Sequence, residues 1–176
     1  MRLSGPRVAL RPFRPADAEA FAAMNRDPLV MRHFTAPLTR AESDAFLARI
    51  ASHQAAHGFA FWAVVPQGEE APIGLCGLQH VPFSARFTPA VEIGWRLRPD
   101  RWGKGLAEEA ARLALGHGFG ALGLEEIVAF TAPANAPSWR LMQRLGMRAD
   151  GGFEHPRLPE GHPLRPQLLY RLARGR

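Results

Sequence analysis

The chain has 176 residues, 47% hydrophobic and 22% charged: one domain's length, and the composition of a packed protein, which excludes a disordered or fibrous chain. No apolar run approaches the roughly 20 residues that span a bilayer, and Met1 to Arg14 lack the apolar core of a signal peptide, so a cytoplasmic protein with no membrane partner is expected. The net charge of +6 comes from 22 basic residues, all arginine except Lys104 and spread along the chain, so the total does not point to nucleic acid.

In chain order, Arg7 to Phe13 reads as a strand, and Pro15, Ala16 and Asp17 open a helix that runs to about Asn25. Thr39 to His57 reads as a second helix, with Thr39 as N-cap, Glu42 at capping-box spacing and Gly58 as its end. Phe59 to Val65 and Ile73 to His80 are β-rich runs joined by a turn-like segment, which predicts an antiparallel hairpin. In Val91 to Arg98 the apolar Val91, Ile93, Trp95 and Leu97 alternate with Glu92, Gly94, Arg96 and Arg98, so one face enters the core and the other carries charge. Leu106 to Phe119 has helical spacing and follows a glycine loop, with Glu108 and Arg112 at i, i+4. A strand at Ile127 to Thr131, a helix at Ser138 to Leu145 stopped by Gly146, and strands near Met147 to Phe153 and Gln167 to Leu172 complete a mixed α/β order. There is no repeat or linker, so a single domain over 1–176 is expected.

The loop Arg101-Trp-Gly-Lys-Gly-Leu-Ala107 is where chemistry concentrates. Glycines let an anion approach the backbone, and a helix start offers unpaired N–H groups and the positive end of its dipole, so Gly103, Lys104, Gly105 and Ala107 predict an anion site. The loop lacks the Gly-Lys-Ser/Thr of nucleotide hydrolases and the three-glycine spacing of dinucleotide binders.

The run from Glu92 through Ile-Gly-Trp-Arg-Leu-Arg-Pro-Asp-Arg-Trp-Gly-Lys-Gly-Leu-Ala-Glu-Glu to Ala110 resembles the strand, loop and helix of the GNAT acetyltransferases, nearest to the branch named for acetylation of ribosomal-protein N-termini. Leu10-Arg11-Pro12, Asp17-Ala18-Glu19, Asn135-Ala-Pro-Ser138 and Arg144-Leu145-Gly146-Met147 extend the resemblance in the right order. It implies a GNAT fold, a mostly antiparallel sheet splayed beside the Val91 strand and flanked by helices. It also implies acetyl transfer from acetyl-CoA to a primary amine, on a small molecule or a protein N-terminus, by direct attack. Backbone groups of Arg96, Leu97 and Arg98 would pair with the pantetheine arm, and the amides of Gly103, Lys104, Gly105, Leu106 and Ala107 would hold the pyrophosphate. The chain departs from the family pattern in placing Trp102 at the head of the loop. Arg98, Arg101 and Lys104 are placed to offset some of the roughly four negative charges of coenzyme A.

Within that frame Glu92 is the candidate base, the other reading being a strand glutamate paired with Arg96. Ser138 is the candidate donor to the departing thiolate, with Asn135 bonding the pantetheine or the loop; a Ser after Ala-Pro is also a natural N-cap. Tyr170, the one tyrosine, is the alternative acid or a packing residue. The connection from Phe153 to Pro166 places His155, Glu160 and His162 as substrate contacts or else as a solvated, proline-stiffened loop. The single cysteine, Cys76, lies in an apolar segment and is expected in the core; His80 reads as a hydrogen-bonded bystander, the other reading being an approach to the site from the neighbouring strand. His53, His57 and His117 show no grouping with cysteine or carboxylate, so no metal is expected. Two rivals are a non-catalytic acyl-CoA-binding domain of the same fold and a basic RNA-associated module, the latter disfavoured because aromatic and basic residues are not interleaved. A homodimer is compatible with the resemblance.

Overall fold

The computed structural model describes residues 1–175. Strands β1 (Leu3–Ser4) and β2 (Val8–Arg11) lead through a 3-10 turn at Pro15–Asp17 into helices α1 (Ala18–Arg26), α2 (Pro28–Met31) and α3 (Arg40–His57). The hairpin β3 (Phe61–Pro66) and β4 (Gly74–His80) follows, then β5 (Val91–Leu97), α4 (Leu106–Gly120), β6 (Glu126–Thr131), α5 (Ala136–Arg144), β7 (Arg148–Glu154) and β8 (Pro166–Ala173). These bounds match the expected elements to within a few residues, and β1 and α2 are additions too short for periodicity to reveal. No described helix is long and apolar enough to cross a membrane.

All eight strands form one sheet in the order β1-β2-β3-β4-β5-β6-β8-β7. Neighbours run antiparallel except β5 and β6, which are parallel and share a single register pair, Glu92 with Val128. Past that point β5 continues along β4 to Leu97, while β6 continues along β8 to Thr131. The sheet therefore opens into a wedge, with its vertex at Glu92.

Alternation decides what each face receives. Trp62, Val64, Leu78, Ile93 and Ile127 project to one side, where Ala110 and Ala114 of α4 and Leu141 of α5 cover them. Gly118 lets α4 settle on this face, because a Cβ there would lie 2.8 Å from Ile127 Cδ1 and 2.9 Å from Leu78 Cδ1. Phe61 and Leu75 project to the other side against Phe21 and Met24 of α1 and Ile50 of α3. Each such large side chain contributes about 1.5–3 kcal/mol by leaving water. Cys76 is fully buried in the first of these cores, as expected, and burial pushes its thiol pKa up.

The capping box of α3 is present: Thr39 Oγ1 accepts the Glu42 N–H at 3.2 Å, and Glu42 accepts the Thr39 N–H at 2.7 Å. Near the start, Arg11 and Asp17 form a bidentate pair at 2.6 and 2.9 Å, both under 10% exposed. The Arg14 N–H adds a third bond to Asp17, and Arg11 also donates to the Glu70 carbonyl. Burial alone would raise the Asp17 pKa, but the hydrogen bonds from Arg11 and Arg14 and the Arg11 charge bring it below the usual value.

Candidate active site

The wedge opens onto a cleft of about 1040 Å³, lined by β5, the loop before α4, the start of α5 and parts of α2. Two features of its floor are set by strand geometry. The Arg98 N–H donates to the Ile73 carbonyl at 2.9 Å, on the β4 side of β5. Peptide groups alternate sides along a strand, so those of Leu97 and Trp95 face the wedge. The Leu97 carbonyl already accepts the Trp102 indole N–H at 2.8 Å. Free backbone at this edge thus centres on Trp95 and the Leu97 N–H; Arg96 and Arg98 point their peptide groups the other way, which corrects the expected trio.

At the loop, Gly103 and Gly105 have φ of +70° and +72°, left-handed values at which any side chain would be strained. Gly105 is the N-cap of α4 and supplies no side-chain cap, leaving the first-turn N–H groups without protein acceptors. The loop is gripped from behind by Arg7, which donates to the carbonyls of Lys104 (2.8 Å) and Gly105 (3.4 Å) and to Glu109 Oε2 (2.7 Å). Glu109 also accepts the N–H groups of Arg7 and Val8, tying α4 to β2. With its carbonyls held by Arg7, the loop presents a nest of donors to the cleft, an arrangement suited to phosphate.

Glu92 lies at the vertex. Its carboxylate meets the Gln79 amide, which donates at 2.5 Å from the facing position on β4. Burial raises the carboxyl pKa to about 7, the Gln79 hydrogen bond working against that rise. Arg96, on the same face of β5, does not pair with it: its Nη1 donates to Asn25 Oδ1 at 2.5 Å, its guanidinium lies 4.2 Å from the Phe34 ring, and its buried Nε has no partner. Burial lowers the Arg96 pKa to about 10.

The acetyltransferase (GNAT) domain family matches residues 7–148. The chain belongs to the GNAT acetyltransferase family. It is 30% identical over 172 residues to the uncharacterized N-acetyltransferase YnaD of Bacillus subtilis, covering 97% of this chain and 95% of that protein. Among solved structures, a GNAT-family acetyltransferase from Bacillus anthracis superposes with a TM-score of 0.81 at 27% identity, covering 99% of both chains. A ribosomal-protein alanine acetyltransferase from Vibrio fischeri, at 19% identity and a TM-score of 0.74 over 99% of this chain and 97% of that one, shares the fold. GNAT enzymes transfer acetyl from acetyl-CoA to amines, so this GNAT chain is an N-acetyltransferase.

Of the residues singled out in the sequence, Glu92, Arg96, Leu97, Trp102, Gly103, Gly105, Leu106, Ala107, Asn135, Ser138 and His155 line the GNAT cleft. Ser138 is not the N-cap of α5. The helix begins two residues earlier, at Ala136, with Asn135 at the cap, and among the described residues none is bonded to the Ser138 hydroxyl. The Asn135 amide instead donates to Thr131 Oγ1 at 3.0 Å. Lys104 and Arg98 sit outside the lining: the ammonium donates to the Asp100 carbonyl at 2.9 Å, and the guanidinium pairs with the Asp100 carboxylate. Arg101 is bound to Glu69, so any cation offered to a phosphate must first leave an internal partner. Glu160 and His162 do not reach the cleft either. Glu160 is exposed, and His162 Nδ1 accepts the Leu164 N–H in a turn that points Leu158 and Leu164 inward in their place. Tyr170 is 6% exposed in the core, its hydroxyl 3.4 Å from the Gln143 amide. Gln79, Arg7 and Phe130 were not singled out in the sequence. Gln79 and Phe130 sit on strands and Arg7 just before one, and how these segments align with β5 and α4 is not encoded in local spacing.

Proposed function

We propose that the cleft binds acetyl-CoA with its pyrophosphate on the amides of Gly103 to Ala107 and its pantetheine amides against Trp95 and Leu97, delivering the thioester to Glu92. The observation that carries this reading is the position of Glu92: a carboxylate with its pKa lifted to about 7, at the vertex of the wedge where the two strands meet. Near neutrality such a group is substantially ionised and basic enough to take a proton from an ammonium. The amine lone pair then attacks the thioester carbonyl carbon, the C–N bond forms, and the C–S bond breaks. The nitrogen sheds its second proton as it becomes an amide and the departing thiolate takes that proton up, with the hydroxyl of Ser138 on the cleft wall relaying it. Buried Cys76 is out of reach, which supports direct attack over a cysteine-bound acyl group.

The acceptor we infer is a primary amine of modest basicity on a weakly polar body, such as a peptide N-terminus or an amino acid, and not a polyamine. A free α-amine has a pKa near 8 and loses its proton to a base of about 7 at little cost, whereas a lysine-type amine near 10.4 needs about 4–5 kcal/mol at neutral pH. The acceptor side of the cleft is aromatic and aliphatic, with Phe130, Leu158, Leu164 and His155, and among the described residues gives a polyamine's further charges no carboxylate of their own.

Calorimetric titration with acetyl-CoA and CoA, followed by thiol release across a panel of amines, tests this reading. Micromolar binding that is lost in Gly105→Glu, and turnover of α-amines above polyamines, are expected. Gly105 holds φ of +72°, which any side chain strains, and its Cβ would meet Arg7 Nη2 at 3.3 Å, so the new side chain displaces the arginine that holds the loop and distorts the row of amides. Wild-type protein that folds but does not bind acetyl-CoA would overturn the assignment of the cleft. A preference for polyamines would overturn the acceptor class alone.

A further inference from the structure

Outside the cleft, the last turn of α3 meets the end of β4 and brings His53, His57 and His80 together, with one ring nitrogen of each within 4.8 Å of the others. The sequence shows part of this: His53 and His57 are four apart on a helix and so share a face. His80 joins them through the pairing of β4 with β3, which places the end of β4 beside the helix that precedes β3.

The first histidine is already oriented as a ligand. His53 Nδ1 lies 2.7 Å from the Phe59 carbonyl, which can only accept, so Nδ1 carries the proton and Nε2 keeps its lone pair. A ligating imidazole is commonly held in this way, by its second nitrogen on a backbone carbonyl. His53 Nε2 is 3.2 Å from His80 Nδ1. Two imidazole nitrogens on one tetrahedral zinc, each at 2.0–2.1 Å, stand about 3.3 Å apart. The pair is therefore at coordinating separation before any movement. His57 is exposed on the free end of the helix and closes the third side by a side-chain rotation. The buried Phe59 ring, 5.1 Å from the rings of both His53 and His80, forms an apolar wall behind them. His53 Nε2 accepts the His80 backbone N–H at 3.1 Å as well as facing His80 Nδ1, so coordination exchanges these two neutral hydrogen bonds for metal–nitrogen bonds.

We propose that His53, His57 and His80 form a three-imidazole site for a divalent transition-metal ion of the zinc class, tying the last turn of α3 to the end of β4. Three neutral nitrogens suit zinc, cobalt or nickel and not magnesium or calcium, which require oxygen donors. The fourth position is left to water. His80 directly follows Gln79, the residue that holds Glu92, so the clamp acts on the strand that carries the active-site hydrogen bond.

The test uses tag-free full-length protein, stripped with a chelator and titrated calorimetrically with zinc chloride and, as control, magnesium chloride. Thermal unfolding is followed in parallel, and cobalt chloride serves as a spectroscopic probe. Expected are about one zinc per chain at micromolar Kd or tighter, a raised Tm with zinc alone, and the strong visible bands of tetrahedral cobalt. His57→Asn and His80→Asn should each weaken zinc binding by at least about tenfold and abolish the Tm rise. The exposed His57 keeps the test open if His80→Asn folds poorly. Failure of the folded wild-type protein to bind zinc, or zinc binding unchanged in His57→Asn, would overturn the proposal.

Discussion

Arg11 with Asp17, buried where β2 meets the turn before α1, and Arg96 with Glu92, half-buried on β5, are two arginine–carboxylate combinations with opposite outcomes. In the first the groups meet, Asp17 accepts three hydrogen bonds, and the carboxyl pKa falls. In the second they stand four residues apart on one strand, each bonded to a neutral amide, and burial prevails: the carboxyl rises to about 7 and the guanidinium falls to about 10. A carboxyl given its counter-charge stays ionised; one denied it is shifted toward the neutral form and titrates nearer pH 7.

The largest expected effect tests the satisfied pair. Asp17→Ala strands the Arg11 charge in the interior and should cost about 3–5 kcal/mol in urea unfolding. Because the Asp17 pKa is depressed in the folded state, its contribution is present above the ordinary value of 3.8 and is lost as pH falls through the folded value. Asp17→Asn should accordingly flatten the acid side of the stability profile.

Glu92→Gln should do the reverse. It should lower kcat/KM by about 10²–10⁴-fold yet leave the Tm at pH 8 unchanged or higher. A carboxyl raised from 4.5 to about 7 contributes stability below pH 4.5 that is lost as pH climbs through 7, and glutamine is free of that loss. A Glu92→Gln protein destabilised as severely as Asp17→Ala would erase the contrast. The kcat/KM profile of the wild type, measured with an acceptor whose own ionisation can be divided out, should show an acid limb near pH 7 that the variant lacks. The smallest effect is expected for Gln79→Leu. Removing the donor to the carboxylate should move that limb to higher pH, so activity falls several-fold near pH 7 and recovers near pH 9. A limb that stays in place would mean that Gln79 does not tune Glu92.

Much of this molecule was legible before its tertiary structure. The alternation of Val91 to Leu97, the Thr39–Glu42 box and the glycine loop before α4 are local patterns whose physics lies within a few residues, and the structure reproduces them. Glu92 was readable as a charge on a half-buried strand. Its neighbour Gln79 was not, because cross-strand partners depend on register, which spacing within a strand does not reveal. The same reason hid Arg7 behind the loop and the meeting of His80 with the helical His53 and His57. For Glu160 and His162 the sequence left two readings open, because a turn residue's side chain can face either way; the structure gives the solvated loop, with a local hydrogen bond turning His162 toward its own segment.

The sequence by itself determined all but the shortest elements, their order, the family and the strand-loop-helix that lines the cleft, since periodicity, caps and left-handed glycines are short-range constraints. Tertiary structure alone decided which peptide groups face the wedge, that Glu92 and Arg96 stay apart, and that three histidines meet. Each of these depends on how strands separated in the chain align, and that alignment is set by the packing of two cores against one sheet.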